Sequence, residues 1–182
     1  MIIDSHTHIL PPDIIKRKDH YADKDLTFKT LFTAKNSTMA TAETLITTMD
    51  QHEISSAAVF GMGWKDNGLN SHVNDYIVES SLRYPERIYP FTGINPSSKK
   101  LGLQEAQRCL ELGVYGFGEV HAAFQNFDLG DKALMSEYMN LLEFNDLPIF
   151  IHCSEPVGHQ YPGKGDSNIK MIETLVNNFP NN

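Results

Sequence analysis

Short apolar runs alternate along the chain with longer stretches in which apolar residues recur every three or four positions. This alternation predicts the βα units of a parallel sheet. The apolar runs predict five strands, at residues 1–5, 56–61, 88–92, 114–119 and 148–153. The helical stretches predict five helices, whose apolar stripes include Leu45, Ile77, Ala106, Leu141 and Ile172.

The spacing of the strands predicts the architecture. The four later strands begin 32, 26 and 34 residues apart, which is the period of successive βα units. A closed barrel needs roughly 250 residues, whereas this chain has 182. We therefore predict a parallel α/β fold with about five βα units, too few to close a (β/α)8 barrel.

The same period places a sixth strand at about residue 180, so we expect a truncated, incomplete barrel. Its first and fifth strands would be open edges of a buried parallel sheet, an arrangement that proteins avoid. We expect a homo-oligomer, or a complementing chain, to cover these edges.

Residues 10–41 separate the first strand from the first clear helix and form a longer connection than an ordinary βα loop. Two interpretations stay open: a lid over a site, or a short helix at 13–18 followed by surface coil.

Composition and charge limit the kinds of partner that we expect the chain to bind. The chain has 15 basic and 23 acidic residues and a net charge of -8, without a basic cluster that could neutralise phosphates, so we expect no nucleic acid partner. No apolar stretch reaches the roughly 18 residues of a membrane span, and Asp4 and His6 stand where a signal peptide would be apolar. We expect a cytoplasmic protein without a membrane partner. Its thiols, Cys109 and Cys153, should be reduced, and Cys153 should be a small buried apolar side chain.

His6 and His8 belong to the sequence Asp4-Ser5-His6-Thr7-His8 at the end of the first strand. Because side chains alternate across a strand, the two imidazoles point to the same side. They are a plausible pair of ligands for a divalent metal, and Asp4 could hold one ring nitrogen from behind. By itself the His-x-His pattern is weak evidence.

Two further ligand-type residues end apolar or Gly-rich strands. Glu119 closes the fourth strand, in Gly116-Phe117-Gly118-Glu119, and His152 closes the fifth, after Pro148-Ile149-Phe150-Ile151. Parallel α/β folds place their sites at these strand ends. Burying such groups unpaired is costly, and one metal centre would satisfy His6, His8, Glu119 and His152 together.

This set resembles the metal-binding residues of the amidohydrolase superfamily, in particular its amidohydrolase-related branch of predicted metal-dependent TIM-barrel hydrolases. The most specific stretches are Gly118-Glu119 and the segment from His152 to His159. The resemblance implies an α/β fold of (β/α)8 TIM-barrel type, in which residues 1–182, with about five βα units, form the N-terminal part of a single barrel domain. It implies one or two divalent ions, most often Zn²⁺, that activate water for attack on a small polar substrate. It also implies a sixth-strand His and an eighth-strand Asp that acts as general base, on strands that this chain does not contain. Glu119 takes the place of a carbamylated Lys found in many members, as in branches that bridge metals with a carboxylate.

We therefore predict a metal-dependent hydrolase whose small-molecule substrate meets His121 just past the fourth strand, and His159 and Lys164 in the loop after the fifth. His121 is equally consistent with a solvated residue. Two alternatives remain: a metal-dependent decarboxylase of the same fold, or a truncated chain without catalytic activity.

Overall fold

A computed structural model of the chain describes residues 1–155, 157–165 and 169–182. Its strands are β1 (Ile3–Thr7), β2 (Ser56–Phe60), β3 (Ile88–Phe91), β4 (Phe117–Val120) and β5 (Ile149–Ile151). Its helices are α1 (Pro12–Lys16), α2 (Lys18–Lys24), α3 (Leu26–Phe32), α4 (Ala42–Gln51), α5 (Asn67–Arg83), α6 (Lys100–Glu111), α7 (Ala122–Gln125), α8 (Lys132–Asn145) and α9 (Ile169–Asn178), with a 3-10 turn at Pro96–Ser98. None of these helices is long and apolar enough to cross a membrane.

All strand pairs are parallel. The strands form sheets of order β1-β2-β3 and β4-β5, which a parallel bridge between Thr92 and Phe117 connects. The N–H of Gly118 donates to the carbonyl of Thr92 at 2.9 Å across the same junction. The five strands thus follow one another in chain order, as in a TIM barrel, and the predicted incomplete (β/α)8 fold is confirmed.

Side-chain caps start helices α4, α5 and α8. Thr41 accepts from the N–H of Thr44 at the start of α4, and Asp66 accepts from Leu69 at the start of α5. Asp131 caps α8 as the sequence predicts, accepting from the N–H of Leu134 at 3.1 Å. Such caps satisfy N–H groups that the first helical turn leaves without partners.

The apolar stripes of these helices pack on the outside of the strands. The buried residues form two clusters, one around β1 to β3 with Ile77 and Met49, and one around β4 with Ala106 and Leu142. On the opposite, inner side of the strands, Phe60, Phe91 and Phe150 form an aromatic cluster with ring centroids 4.4 to 5.3 Å apart.

The segment 10–41 is helical and not mainly coil. The predicted short helix is α1, and the sequence pattern missed α2 and α3. Phe28 and Phe32 of α3 pack against Trp64, which is fully buried. Asp25, 1% exposed, accepts from the N–H groups of Phe28, Lys65 and Asp66 and so fastens α3 to the loop after β2.

The prediction for Cys153 is wrong, because its side chain is exposed. β5 ends at Ile151, so the strand alternation that would have turned Cys153 into the core no longer applies. Cys109 on α6 is fully buried.

Along the outer side of β5 runs an apolar groove of about 390 Å³ between this strand and α9. Its lining includes Ile149, Ile151, Ile172, Leu175 and Phe179. Within the described residues, no strand pairs with the outer edge of β1 or of β5. That another chain covers these edges remains a prediction.

Candidate metal centre

His6 of β1 and His8, just after this strand, lie side by side, with ring centroids 4.9 Å apart. Nδ1 of His8 lies 3.0 Å from the carbonyl of Phe60. Because a carbonyl only accepts, Nδ1 must carry the proton and Nε2 keeps its lone pair in the neutral ring. Asp4 does not reach either ring as expected; its Oδ1 accepts from the backbone N–H of His6 at 3.2 Å.

Glu119 reaches both histidines from β4. Its Oε2 lies 3.3 Å from Nε2 of His6 and 3.5 Å from Nε2 of His8. The close approach of β4 to β5 depends on Gly118, whose φ is +150° and where an added Cβ would lie 2.7 Å from Cβ of Phe150. A side chain at that position would push Glu119 away from its partners.

His152, at the end of β5, contacts the other oxygen of the same carboxylate. Its Nδ1 lies 2.9 Å from Oε1 of Glu119. The structure therefore brings together all four residues predicted as ligands, with the carboxylate of Glu119 between two sets of imidazoles. His6, His8 and Glu119 each offer one ligand atom, and these three atoms lie within 4.8 Å of one another.

The electrostatics of Glu119 match this position. Burial by itself would raise its pKa, but the hydrogen bond from His152 and the neighbouring imidazoles of His8 and His6 hold the pKa of Glu119 well below its ordinary value of 4.5. The carboxylate is therefore ionised at neutral pH. An anionic oxygen pair among imidazole nitrogens is a donor set suited to zinc, manganese or other divalent transition metals.

A cavity of about 170 Å³ opens at this cluster. Its walls come from the strand ends, from α3 and from the loops after β2 and β5: His8, Thr27, Leu31, Met62, Gly63, Glu119, His121, His152 and Gly163. Two of the three residues predicted to bind substrate, His159 and Lys164, are described but are not among these walls. Nζ of Lys164 instead contacts Glu155 Oε1 at 3.3 Å and the carbonyl of Val157 at 3.0 Å.

His121, the third, lines the cavity and is 5% exposed, so it is not a solvated residue. Its ring stacks on His152, with centroids 4.1 Å apart and planes inclined by 13°, and its Nε2 lies 3.0 Å from the carbonyl of Gly163. Burial lowers the pKa of His121, so the ring is neutral and donates from Nε2. Its Nδ1 is buried without a hydrogen-bond partner in the described part of the chain.

Sequence reasoning missed Ser154, Thr27 and Leu31. Ser154, 4% exposed, has its Oγ 3.3 Å from Nε2 of His152. It lies in the segment from His152 to His159 that carries the family resemblance, but nothing in the sequence marks it as a partner of His152. Thr27 and Leu31 stand about twenty residues after β1 in a segment without a strand pattern, and nothing local marks them as cavity residues.

The chain matches the amidohydrolase family model over residues 3–181. Comparison with curated proteins finds no match. Among solved structures, it resembles 5-carboxyvanillate decarboxylase from Novosphingobium aromaticivorans, a manganese complex, with a TM-score of 0.69 and 18% identity over 97% of this chain. It also resembles an amidohydrolase II, with a TM-score of 0.71 and 14% identity over the whole chain.

A third similar structure is a probable 2-pyrone-4,6-dicarboxylic acid hydrolase from Acinetobacter baumannii, with a TM-score of 0.53 and 15% identity over 84% of this chain. The chain spans 54% of the decarboxylase, 64% of the amidohydrolase II and 49% of this hydrolase. At such identities these structures show a common fold. The family model covers nearly the entire sequence, and the chain belongs to the amidohydrolase family.

Proposed function

We propose that this chain forms the metal-binding side of a metal-dependent hydrolase of the amidohydrolase type that acts on a small polar molecule. The observation that carries the proposal is the ionised carboxylate of Glu119, which faces His6 and His8 with one oxygen and His152 with the other. Three imidazoles surround one partly buried carboxylate, so every side chain of this group offers an atom that can bind a metal.

The residues fit a divalent ion, and Zn²⁺ is the ion we propose. His8 presents the lone pair of Nε2 because Nδ1 donates to Phe60. Each oxygen of Glu119 faces different imidazoles, so the set suits one ion or two. When bound, such an ion lowers the pKa of a coordinated water toward neutrality and polarises the bond under attack.

The other walls of the cavity limit what reaches the metal ligands. Leu31 and Met62 are apolar, and Thr27 uses its hydroxyl to donate to the carbonyl of Gly63 at 2.8 Å. The volume of about 170 Å³ suits a small reacting group better than a polymer. We assign no general base to the described residues, and the base of the proposed reaction would come from outside them.

The alternative function is that of a decarboxylase that uses the same pocket. The similarity to 5-carboxyvanillate decarboxylase supports this alternative, because that enzyme shares the fold and holds manganese. Release of carbon dioxide from carboxylic acids, measured beside cleavage of amides and esters, separates the two reactions. If the chain binds metal but neither releases carbon dioxide from carboxylic acids nor cleaves amides and esters, the result would fit the remaining alternative, a truncated chain without catalytic activity.

The first test is metal binding. The protein is stripped with a chelator, reloaded with Zn²⁺ or with Mn²⁺, and its metal content is measured after gel filtration. We expect tight binding that is lost in His6→Ala/His8→Ala. The matched control is His20→Ala/His52→Ala, which removes two exposed imidazoles away from the site. Failure of the unchanged protein to bind either ion at micromolar concentration would overturn the proposal.

A further inference from the structure

We propose that Ser154 is a positioning residue for His152, and that it ties the orientation of the His152 ring to the backbone at Gly163 and Gly165. The inference rests on the proposed function, since it concerns how His152 meets the metal. Three contacts carry it: Ser154 Oγ to His152 Nε2 at 3.3 Å, the N–H of Gly165 to Ser154 Oγ at 3.0 Å, and His121 Nε2 to the carbonyl of Gly163 at 3.0 Å.

Without metal, the contacts of His152 fix where its proton lies. Nδ1 is 2.9 Å from the carboxylate of Glu119, which can only accept, so in the neutral ring the proton is on Nδ1. Nε2 then has a lone pair, and the hydroxyl of Ser154 donates to it. The same Oγ accepts from Gly165, so both functions of the hydroxyl are in use.

Metal binding reverses this arrangement. Nδ1 is the ring atom that faces Glu119, so if His152 and Glu119 held one ion together, Nδ1 would have to be without its proton. The neutral ring then carries its proton on Nε2, which must donate. A hydroxyl can accept this bond after rotating, because it is both donor and acceptor. Ser154 can therefore partner His152 in both states, whereas Ala can partner it in neither.

The loop takes part because its backbone holds both stacked imidazoles. Gly165 binds the partner of His152, and Gly163 binds His121, whose ring lies parallel to His152 at 4.1 Å. Leu31 of α3 closes the other side, since a Cβ on Gly163 would lie 3.1 Å from its Cδ2. The orientation of His152 thus depends on a loop that also forms part of the cavity wall.

The experiment compares Ser154→Ala, Ser154→Thr and the control Ser136→Ala, which removes a hydroxyl bonded to its own helix α8. Zinc affinity is measured by competition with a chromogenic chelator. We expect Ser154→Ala to bind zinc about 10- to 100-fold more weakly, the usual effect of losing a partner of a metal-bound His. Ser154→Thr should recover most of the affinity, and Ser136→Ala should match the unchanged protein.

A second readout needs no activity and distinguishes positioning from general damage. Nitrogen NMR of the His152 ring, at a pH above the ordinary range of His, should show the proton on Nδ1 without zinc and on Nε2 with zinc. Hydrogen exchange at the Gly165 amide should be faster in Ser154→Ala with and without zinc, because this amide loses its acceptor.

The outcomes separate the two proposals. If the unchanged protein binds no metal, the proposed function fails and this inference fails with it. If zinc binds and is lost in His6→Ala/His8→Ala, yet Ser154→Ala keeps the affinity and the protection of Gly165, only the role of Ser154 is overturned. A His152 ring that keeps its proton on Nδ1 in the zinc-loaded protein would also overturn it.

Discussion

Glu119 and His152 stand 33 residues apart in the sequence, and Oε1 of the first lies 2.9 Å from Nδ1 of the second. The contact joins the carboxyl ends of β4 and β5, and the second oxygen of Glu119 extends it to His6 and His8 at the end of β1. Side chains at the ends of the first and the last described strands, β1 and β5, thus converge on one carboxylate. Because Glu119 connects the imidazoles, it is the residue whose charge should matter most for binding a metal.

Replacing Glu119 by Gln tests this directly. The amide keeps the size of the side chain but removes the negative charge and turns one oxygen into a donor. We expect Glu119→Gln to weaken zinc binding by more than about 100-fold, beyond the effect usual for an outer partner. Chelator competition measures the affinity, with the exposed Glu137→Gln on α8 as control. Affinity retained in Glu119→Gln would mean that the carboxylate is not a ligand.

A second carboxylate predicts how stability depends on pH. Glu105 of α6 accepts from Arg108 at 2.8 Å and from Asn74 at 2.9 Å. Burial would raise its pKa, but these hydrogen bonds hold the pKa of Glu105 below its ordinary value of 4.5. The unfolded chain therefore binds a proton more readily in acid, so this contribution to stability is present above about pH 4.5 and is lost as the pH falls below it.

Urea unfolding of the metal-free protein over a series of pH values measures this loss. Glu105→Gln should be less stable near neutrality and show a flatter decline in acid, whereas the exposed Glu79→Gln should follow the unchanged protein. Parallel curves for Glu105→Gln and the unchanged protein below about pH 4.5 would show that this ion pair contributes nothing to acid sensitivity.

The sequence predicted the strands and the four convergent residues because both leave local signals. Apolar runs identify β2 and β5, and a polar residue that ends such a run, as His152 does, must find a partner at the strand end. His6 and His8 follow from the two-residue period of a strand. The common edge of a parallel sheet then brings them together, without any knowledge of the loops.

The loops and the buried polar contacts could not be predicted in the same way. Ser154 and Gly163 acquire their roles from the path of a loop that has neither a helical nor a strand period. Asp25 contacts Lys65 and Asp66 about forty positions later, and no pattern links positions so far apart. Cys153 was misplaced because β5 ends two residues before it.

The three hydrogen bonds that Asp25 accepts predict a large loss of stability when this residue is replaced. Asp25→Ala leaves the buried N–H group of Phe28 and the partly buried N–H groups of Lys65 and Asp66 without their acceptor, and a donor that loses its partner away from water is costly. We expect a decrease of roughly 3–5 kcal/mol in the free energy of unfolding. Chemical denaturation measures it.

Asp131→Ala is the matched control, because Asp131 is an exposed cap that accepts from one N–H group at the start of α8. It should cost about 1 kcal/mol. Equal losses for Asp25→Ala and Asp131→Ala would mean that the hydrogen bonds of Asp25 do not hold α3 against the loop after β2.

The two thiols should differ sharply in reactivity. Burial and the neighbouring Glu105 carboxylate raise the pKa of Cys109 to about 12, so almost no thiolate forms at neutral pH, and reagents cannot reach the side chain. Cys153 is exposed next to His152, and thiolate chemistry requires both access and deprotonation. A disulfide reagent such as DTNB should therefore modify one thiol rapidly in the native protein and the second only after unfolding. Cys153→Ser should abolish the rapid phase and leave the slow one. Two rapid thiols would show that α6 opens readily at Cys109. A rapid phase that survives in Cys153→Ser would show that Cys153 is not the fast-reacting thiol.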